Sequence, residues 1–197
     1  MKIMNLVPDS LTESNYLDEK IPSFEKLQYQ AKKFFESLIS KKRYGFAELF
    51  LIQDSGEYNR NSSLFESIGY NTKSKKERQQ NNEIRGIYIF YENDVPIYVG
   101  ISRGILRRLK NHFLGKTHFE ASLAYLIARN SHDNEIGIYM GERSKFPFDK
   151  YLSNIQSDMR QNWKISIIPI EDSYEMYFTE FYLACEMKTK WNSFETH

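Results

Sequence analysis

The first third of the chain carries hydrophobic residues with helical spacing. Between Ser23 and Lys42 they recur every three or four positions, which predicts an amphipathic helix with one buried face. These residues are Phe24, Leu27, Ala31, Phe34, Phe35 and Leu38. The segment FAELFLIQ (46–53) fits either a strand or a continued helix, because its apolar run does not separate the two.

A polar segment separates this part of the chain from the rest. Residues 71–83, NTKSKKERQQNNE, contain no apolar side chain and predict a linker or a mobile loop. We therefore expect a mostly helical N-terminal extension at 1–70 and a second domain at 84–197. For the extension, DNA contacts, coverage of the sheet and dimerisation all stay open as roles.

After the polar segment, short apolar runs alternate with turn residues. GIYIFY (86–91) and PIYVG (96–100) flank the turn residues ENDV and predict a β-hairpin. WKISIIPI (163–170) predicts a third strand that ends near a proline. Helices are expected between the second and third strands and after the third, so the order predicts a mixed α/β domain with a small, helix-flanked sheet.

Two of these helices follow the hairpin directly. The first is predicted over about 103–114, with Ser102 as its N-cap and Gly115 just beyond its C-terminus. HFEASLAYLIAR (118–129) predicts the second, since its apolar residues again follow a helical period.

Composition narrows the class of protein only slightly. The 197 residues, 41% of them hydrophobic, can bury the core of one medium domain or of a smaller domain with an extension. The single Cys185 excludes an intrachain disulfide and fits a reducing compartment. The chain starts without an apolar run of signal-peptide length, and no run approaches the roughly 20 residues of a membrane helix. We expect a soluble, cytoplasmic protein with no membrane segment.

Positive charge is concentrated between residues 102 and 129. This stretch has a local charge of +5 in a chain whose net charge is +1. Its charged residues are Arg103, Arg107, Arg108, Lys110, Lys116 and Arg129 against the single acid Glu120. Arginine suits bidentate contacts with phosphate, so one interpretation is a site for an anionic ligand. The alternative is a solvated helix face, which is what most short basic runs are.

The first basic helix places a cation beside a titratable group. Arg108 and His112 are four positions apart and lie side by side on one face. Ile105, Leu109 and Phe113 form the adjacent apolar stripe that would hold the helix on the sheet. Such a pair can stabilise charge on a phosphate and move a proton, although a histidine on a helix is often incidental.

A third helix contains a carboxylate in an apolar stripe. It is predicted from Asp172, which forms a capping box with Glu175, to about Lys190. The neighbours of Glu180 at helical spacing are Met176, Tyr177, Leu183, Ala184 and Met187. Because an ionised group there is unfavourable unless it is paired, Glu180 would either form a salt bridge, for instance with an arginine of the basic helix, or bind Mg²⁺.

The hairpin tyrosines allow three interpretations. Tyr88 and Tyr98 would pack in the core, as aromatic residues in strands usually do. Buried phenols need hydrogen-bond partners, so both would alternatively face a polar cleft. Stacking on the bases of a nucleic acid is the third interpretation.

The order and spacing of these residues resemble the GIY-YIG endonuclease family. GIY (86–88) and YVG (98–100) correspond to the two tripeptides of the family motif, and their tyrosines are ten positions apart. Arg108 follows the second tyrosine by ten positions, and His112 follows four later, where the family has histidine or tyrosine. The resemblance covers about residues 84–194.

The resemblance extends to two residues near the end of the chain. Glu180 falls in a helix near the end of the domain, and Asn192 follows it by twelve residues. The resemblance implies an α+β fold with a small three-stranded antiparallel sheet flanked by helices. It also implies hydrolysis of DNA phosphodiesters by activated water at a single divalent metal, Mg²⁺ or Mn²⁺, with Glu180 as the metal ligand.

The resemblance assigns roles to the remaining residues. Arg108 would hold the scissile phosphate and its developing charge. Tyr98 or Tyr88 would orient or deprotonate the attacking water, with Tyr98 favoured. His112 would share in the proton movement, and Asn192 would support the site.

The sequence departs from the family pattern at two places. Many members carry lysine after the second tripeptide, where this chain has Ile101, so Arg103 is the nearest substitute. The segment 116–162 is longer than in minimal members, and its part 130–148 resembles an inserted loop that would shape DNA contacts. Further nucleic-acid contacts are expected from the basic residues Arg103, Arg107, Lys110 and Lys116.

Two other functions stay open beside a DNA endonuclease. One is a nuclease-derived module that binds nucleic acid without cutting it, and the other is an interaction domain with no metal. The presence of all six site residues favours the nuclease. A homodimer would be needed if both DNA strands were cut together.

Overall fold

The computed structural model describes residues 21–68 and 83–194. The predicted linker at 71–83 lies outside these residues except for Glu83. The helices are α1 (Phe24–Ser37), α2 (Phe46–Leu49), α3 (Ser62–Ser67), α4 (Ile105–Leu114), α5 (Ser122–Glu135), α6 (Asp149–Asn162) and α7 (Ser173–Met187). The strands are β1 (Tyr44–Gly45), β2 (Phe50–Ile52), β3 (Tyr58–Arg60), β4 (Gly86–Glu92), β5 (Val95–Ser102) and β6 (Trp163–Pro169). Within the described ranges, no helix is both long and apolar enough to cross a membrane.

The main sheet is antiparallel, with the strand order β1-β6-β4-β5. The predicted three strands were therefore one too few. The fourth strand, β1, pairs Tyr44 with Ile165 and Gly45 with Lys164. A strand of two residues is too short to show alternation in the sequence, so only its pairing reveals it.

The hairpin β4–β5 is longer than its sequence pattern indicated. It turns on Asn93 and Asp94, whose φ angles are 49° and 63°. Positive φ at both central residues is the requirement of a type I′ turn, and asparagine and aspartate tolerate it better than other side chains. The side chain of Arg43 holds the turn by donating to the Asp94 carboxylate at 2.8 Å.

Helices cover both faces of this sheet. Strand β4 is buried on both sides, with Tyr88 and Phe90 in the core formed with α4, α5 and α6. Ile87 and Ile89 belong to the opposite core, which α7 and α1 complete. One face of β4 thus points Tyr88 and Phe90 at the basic helix α4, and the other is covered by α7 and α1.

The N-terminal helix is shorter than predicted. Helix α1 begins after Ser23, whose hydroxyl accepts from the backbone N–H of Lys26, and ends at Ser37 instead of Lys42. The ambiguous segment 46–53 contains both alternatives, one helical turn (α2) followed by a short strand (β2). The residues that follow α1 instead lead into strand β1.

Helix α4 starts at Ile105, not at 103, and Ser102 is not its N-cap. Ser102 belongs to β5, and the N-cap position is Gly104, which has no capping side chain. The carboxylate of Glu83 replaces it by accepting from the backbone N–H groups of Leu106 and Arg107 at 3.1 and 3.3 Å. A carboxylate at a helix N-terminus accepts hydrogen bonds from the unpaired backbone N–H groups, and its negative charge interacts favourably with the helix dipole.

The segment 116–162 is largely helical, so the inserted loop predicted at 130–148 was too long. Helix α5 runs to Glu135, and α6 begins at Asp149. Helix α6 is polar except for a narrow stripe of buried residues, and such a stripe is a weak sequence signal. Its buried residues are Leu152, Gln156 and Met159.

Helix α7 confirms the predicted N-cap. The Asp172 carboxylate accepts from the backbone N–H of Glu175 at 2.8 Å. The helix ends at Met187, three residues before the predicted Lys190, because Lys188 adopts a left-handed conformation with φ of 51°. This C-terminal reversal carries the chain back towards strand β5.

Candidate active site

The hairpin register brings the two tripeptides together. Tyr88 on β4 pairs with Gly100 on β5. A Cβ atom at Gly100 would lie 2.5 Å from the Tyr88 hydroxyl oxygen and 2.8 Å from the Tyr98 ring. Any larger residue would displace both phenols, so the glycine that ends the second tripeptide makes room for the two tyrosines of the site.

Tyr88 and His112 form a buried, uncharged pair. The Tyr88 hydroxyl lies 2.9 Å from Nε2 of His112, and both side chains are almost inaccessible to solvent. Burial lowers the pKa of His112 well below its usual value and raises the pKa of Tyr88 well above its own. Both groups are therefore neutral near pH 7, and they lie behind the surface of the site.

Arg108 has a fixed and unneutralised charge. Its guanidinium donates to the carbonyls of Phe119 and Glu120 at 3.4 and 3.1 Å and to the Ser122 hydroxyl. These acceptors are uncharged, and the described part of the chain offers Arg108 no ion pair. The positive charge of Arg108 lowers the pKa of Tyr98, opposing the larger effect of burial, which raises it.

Glu180 lies on α7 without a cationic partner. It is partly buried, and in residues 21–68 and 83–194 it forms no ion pair. The salt bridge to the basic helix, one of its two predicted alternatives, is therefore not formed. Burial raises the pKa of the carboxyl to about 7, and a hydrogen bond with the backbone of Ile101 opposes that rise.

The donor set at Glu180 fits a hard cation that keeps most of its water. The described residues contain no group of three or more His, Cys, Asp or Glu side chains that could hold a metal ion. Mg²⁺ commonly takes one or two carboxylates and completes its shell with water and phosphate oxygens. A single unpaired, desolvated carboxylate beside an open cleft meets this requirement.

A cleft of about 960 Å³ joins these elements. Tyr98, Glu180 and Asn192 line it, together with Ser122, the residue that holds Arg108. Three predicted site residues thus share one cleft. Tyr88 and His112 lie behind Tyr98, with the Tyr88 and Tyr98 ring centroids 6.2 Å apart.

Residues 84–175 match the family model described as the GIY-YIG catalytic domain. The chain contains a GIY-YIG domain. The resemblance seen in the sequence is confirmed, and this family indicates a nuclease-type protein that acts on nucleic acid. None of the curated proteins and none of the solved structures matches the chain.

The four predicted DNA-contacting residues of the GIY-YIG domain do not line its cleft. Arg103, Arg107 and Lys116 are exposed elsewhere. Lys110 donates from its ammonium group to the carbonyl of Tyr58 at 3.0 Å and so ties α4 to the β2–β3 hairpin. Any contact of these residues with nucleic acid would lie outside the cleft.

Several residues that line the cleft were not predicted from the sequence. Arg129 was counted in the basic stretch but given no role, and Arg143 and Lys190 were not singled out. The Arg143 guanidinium lies 4.8 Å from the ring centre of Tyr125, and Lys190 lies 4.6 Å from that of Trp191. The sequence signals for the two arginines were the basic stretch 102–129, which contains Arg129, and the predicted inserted loop 130–148, which contains Arg143. Cations and aromatic rings therefore line the same cleft as Glu180.

Asn192 holds the C-terminal segment of the domain against the edge strand β5. Its carboxamide accepts from the backbone N–H of Val99 and donates to the carbonyl of Val99, both at 2.8 Å. The hydroxyl of Thr189 also donates to Asn192 Oδ1, and the N–H of Trp191 donates to the carbonyl of Ile97. Asn192 is thus a positioning residue that completes the hydrogen bonds of an open sheet edge.

Replacing Asn192 with alanine is expected to lower the free energy of unfolding by about 1–3 kcal/mol, because both main-chain groups of Val99 lose their partner. Urea unfolding would measure the change. Ser193→Ala, an exposed neighbour, is the control and should differ from the wild type by less than about 0.5 kcal/mol. A variant as stable as the wild type would contradict the positioning role.

Proposed function

We propose that the protein is a metal-dependent DNA endonuclease that hydrolyses phosphodiester bonds with water at a single-metal site. The observation that carries this proposal is the pair of uncompensated opposite charges in one region. Glu180 lines the cleft and has no ion-pair partner among the described residues. Arg108 does not itself line the cleft, but it is anchored to the cleft residue Ser122, and both charges act on Tyr98. A divalent cation and a phosphate would each supply the missing opposite charge.

Glu180 would hold the Mg²⁺ or Mn²⁺ ion. When bound, the metal would polarise the phosphate and stabilise charge that develops in the transition state. Arg108 would bind the same phosphate, and its fixed guanidinium needs little reorganisation during the reaction. Because neutral acceptors already hold this guanidinium in place, it would be preorganised for an anion.

Tyr98 would orient the attacking water in its neutral form. It reaches the cleft, and burial raises its pKa above the ordinary value near 10. A phenol of this kind donates and accepts hydrogen bonds at pH 7 but is seldom ionised. Tyr88 and His112 would hold the ring of Tyr98 in position. They would also extend its hydrogen bonds into the core, since neither of them faces the cleft.

The affinity for metal is expected to depend on pH through Glu180. Its carboxyl, with a pKa of about 7, must lose a proton before it can hold a cation. Mn²⁺ affinity should therefore fall about tenfold per pH unit below pH 7 and level off above it. Calorimetric titration with Mn²⁺ between pH 5.5 and 8.5 would measure this profile. A flat profile across that range would contradict Glu180 as the ligand.

The second candidate function is a nucleic-acid-binding module that does not cut. It would use the same cleft cations but would need neither Glu180 nor a metal. Within residues 21–68 and 83–194 the desolvated carboxylate of Glu180 forms no ion pair. This favours the nuclease, because a module without metal would gain stability from an apolar residue there. Nicking of a supercoiled plasmid with and without Mg²⁺ separates the two.

A further inference from the structure

One loop of the segment between α5 and α6 exposes apolar side chains to solvent. Ile138 is 76% exposed and Met140 is 89% exposed, although both belong to residue types that proteins usually bury. Ile136, at the C-cap of α5, is 65% exposed. We name residues 136–141 the apolar loop. Neither Ile138 nor Met140 belongs to a core cluster of the described chain, so burial within this chain does not explain them.

The residue between them anchors the loop firmly. The backbone N–H of Tyr139 donates to the Asp133 carboxylate at 3.0 Å, and its hydroxyl donates to the carbonyl of Glu142 at 3.1 Å. Arg129 donates to the Tyr139 carbonyl at 2.9 Å. The tyrosine ring also packs edge-on against Phe146, with centroids 5.2 Å apart. The loop therefore presents Ile138 and Met140 from a fixed backbone.

The loop is continuous with the cleft that holds Glu180. Gly141, its last residue, lines that cleft, as do Arg129 and Arg143 on either side of the loop. Arg143 is exposed, and it lies two residues beyond the end of the loop. Exposed apolar side chains on a loop that is flanked by two cleft arginines match the way proteins insert wedges between stacked bases while binding the phosphates alongside.

We propose that the apolar loop is a wedge that inserts Ile138 and Met140 between neighbouring bases of DNA bound in the cleft. This proposal rests on the proposed function, since it takes DNA as the ligand. It also names the substrate class, which is duplex DNA that is unstacked or distorted next to the cleavage site. A duplex that already contains a bulged or mismatched base needs less energy to open, so it should bind more tightly.

The exposed apolar loop and the arginines beside it fit DNA better than a protein partner. Protein interfaces are broad surfaces with a buried apolar centre, whereas here the exposed apolar groups belong to one short loop. Arg129 and Arg143, which line the cleft and flank the loop in the sequence, favour a polyanion.

The test compares the affinity for two DNA duplexes in EDTA, where no metal-dependent cleavage occurs. One fluorescent duplex is fully paired, and the other is identical except for a single bulged base. The wild type should bind the bulged duplex about tenfold more tightly. The double variant Ile138→Ala/Met140→Ala should keep no more than a twofold preference. The control is Ile39→Ala/Ile52→Ala, which removes two exposed apolar side chains away from the cleft and should keep the tenfold preference.

The outcomes separate this proposal from the nuclease function. Equal binding of both duplexes by the wild type, or an unchanged preference in the double variant, would overturn the wedge even if the protein nicks plasmid with Mg²⁺. A change in oligomeric state with no change in preference would overturn it in favour of a protein interface. If the wild type binds neither duplex, both the wedge and the proposed DNA endonuclease function are contradicted.

Discussion

Glu180→Gln is expected to abolish metal-dependent cleavage while making the metal-free protein more stable at pH 8. Glutamine keeps the size of the side chain but cannot carry the negative charge that a divalent cation needs. The loss of rate should be roughly 10³-fold or more, because metal stabilisation of the transition state is worth several kcal/mol. The fold should be retained, since no ion pair of Glu180 is lost in the described chain.

The gain in stability follows from the raised pKa of Glu180. The folded protein holds the Glu180 proton up to about pH 7, whereas an unfolded carboxyl releases it near 4.5. The stability that this proton contributes is complete below pH 4.5 and is lost as the pH rises to 7. Glutamine avoids this loss, which is on the order of 2 kcal/mol after allowance for partial solvent exposure.

Urea unfolding at pH 5 and pH 8, with and without Mn²⁺, measures both effects. Mn²⁺ should stabilise the wild type at pH 8 and leave Glu180→Gln unchanged. The matched control is Glu186→Gln on the same helix, since Glu186 is exposed and does not line the cleft. Equal stabilisation of Glu180→Gln by Mn²⁺ would assign the metal to another residue.

Arg108→Ala is expected to lose both cleavage and stability. Without the guanidinium, the phosphate loses its fixed positive partner, and cleavage should fall about 10²–10³-fold. Stability should fall by about 2 kcal/mol, because the carbonyls of Phe119 and Glu120 and the Ser122 hydroxyl lose a charged donor. Single-turnover cleavage and urea unfolding measure the two losses separately.

Arg108→Lys distinguishes the two roles of this residue. Lysine keeps the charge but cannot reproduce the planar fork that contacts several acceptors at once. We expect it to recover part of the stability and little of the cleavage rate. Lys33→Ala, which removes an exposed cation from α1, controls for net charge. If a folded Arg108→Ala variant cleaved DNA at the wild-type rate, Arg108 would not belong to the active site.

The sequence predicted the parts of the site that follow from local periodicity. Two short apolar runs, rich in β-branched and aromatic residues, flank the turn residues ENDV and predicted the hairpin that carries Tyr88 and Tyr98. Helical spacing placed Arg108 beside His112, and it placed Glu180 on an apolar stripe. Each of these relations spans only a few residues, so one sequence is enough to show it.

Other features depend on contacts between distant residues. Glu83 caps α4 across more than twenty positions, and β1 becomes a strand only through its pairing with β6. Spacing alone could not decide whether an arginine reaches Glu180, because that depends on how α4 and α7 are placed on opposite faces of the sheet. The cations Arg129 and Arg143 line one cleft with Glu180 only in the folded domain.

The most direct test of the account is nicking of supercoiled plasmid by the wild type and by Glu180→Gln, each with Mg²⁺ and with EDTA. The account predicts open-circular or linear product only for the wild type with Mg²⁺, and intact plasmid in the other three reactions. Product of equal amount from Glu180→Gln, or from the wild type in EDTA, would contradict it. So would intact plasmid in all four reactions when the wild type is shown to bind both Mn²⁺ and the plasmid.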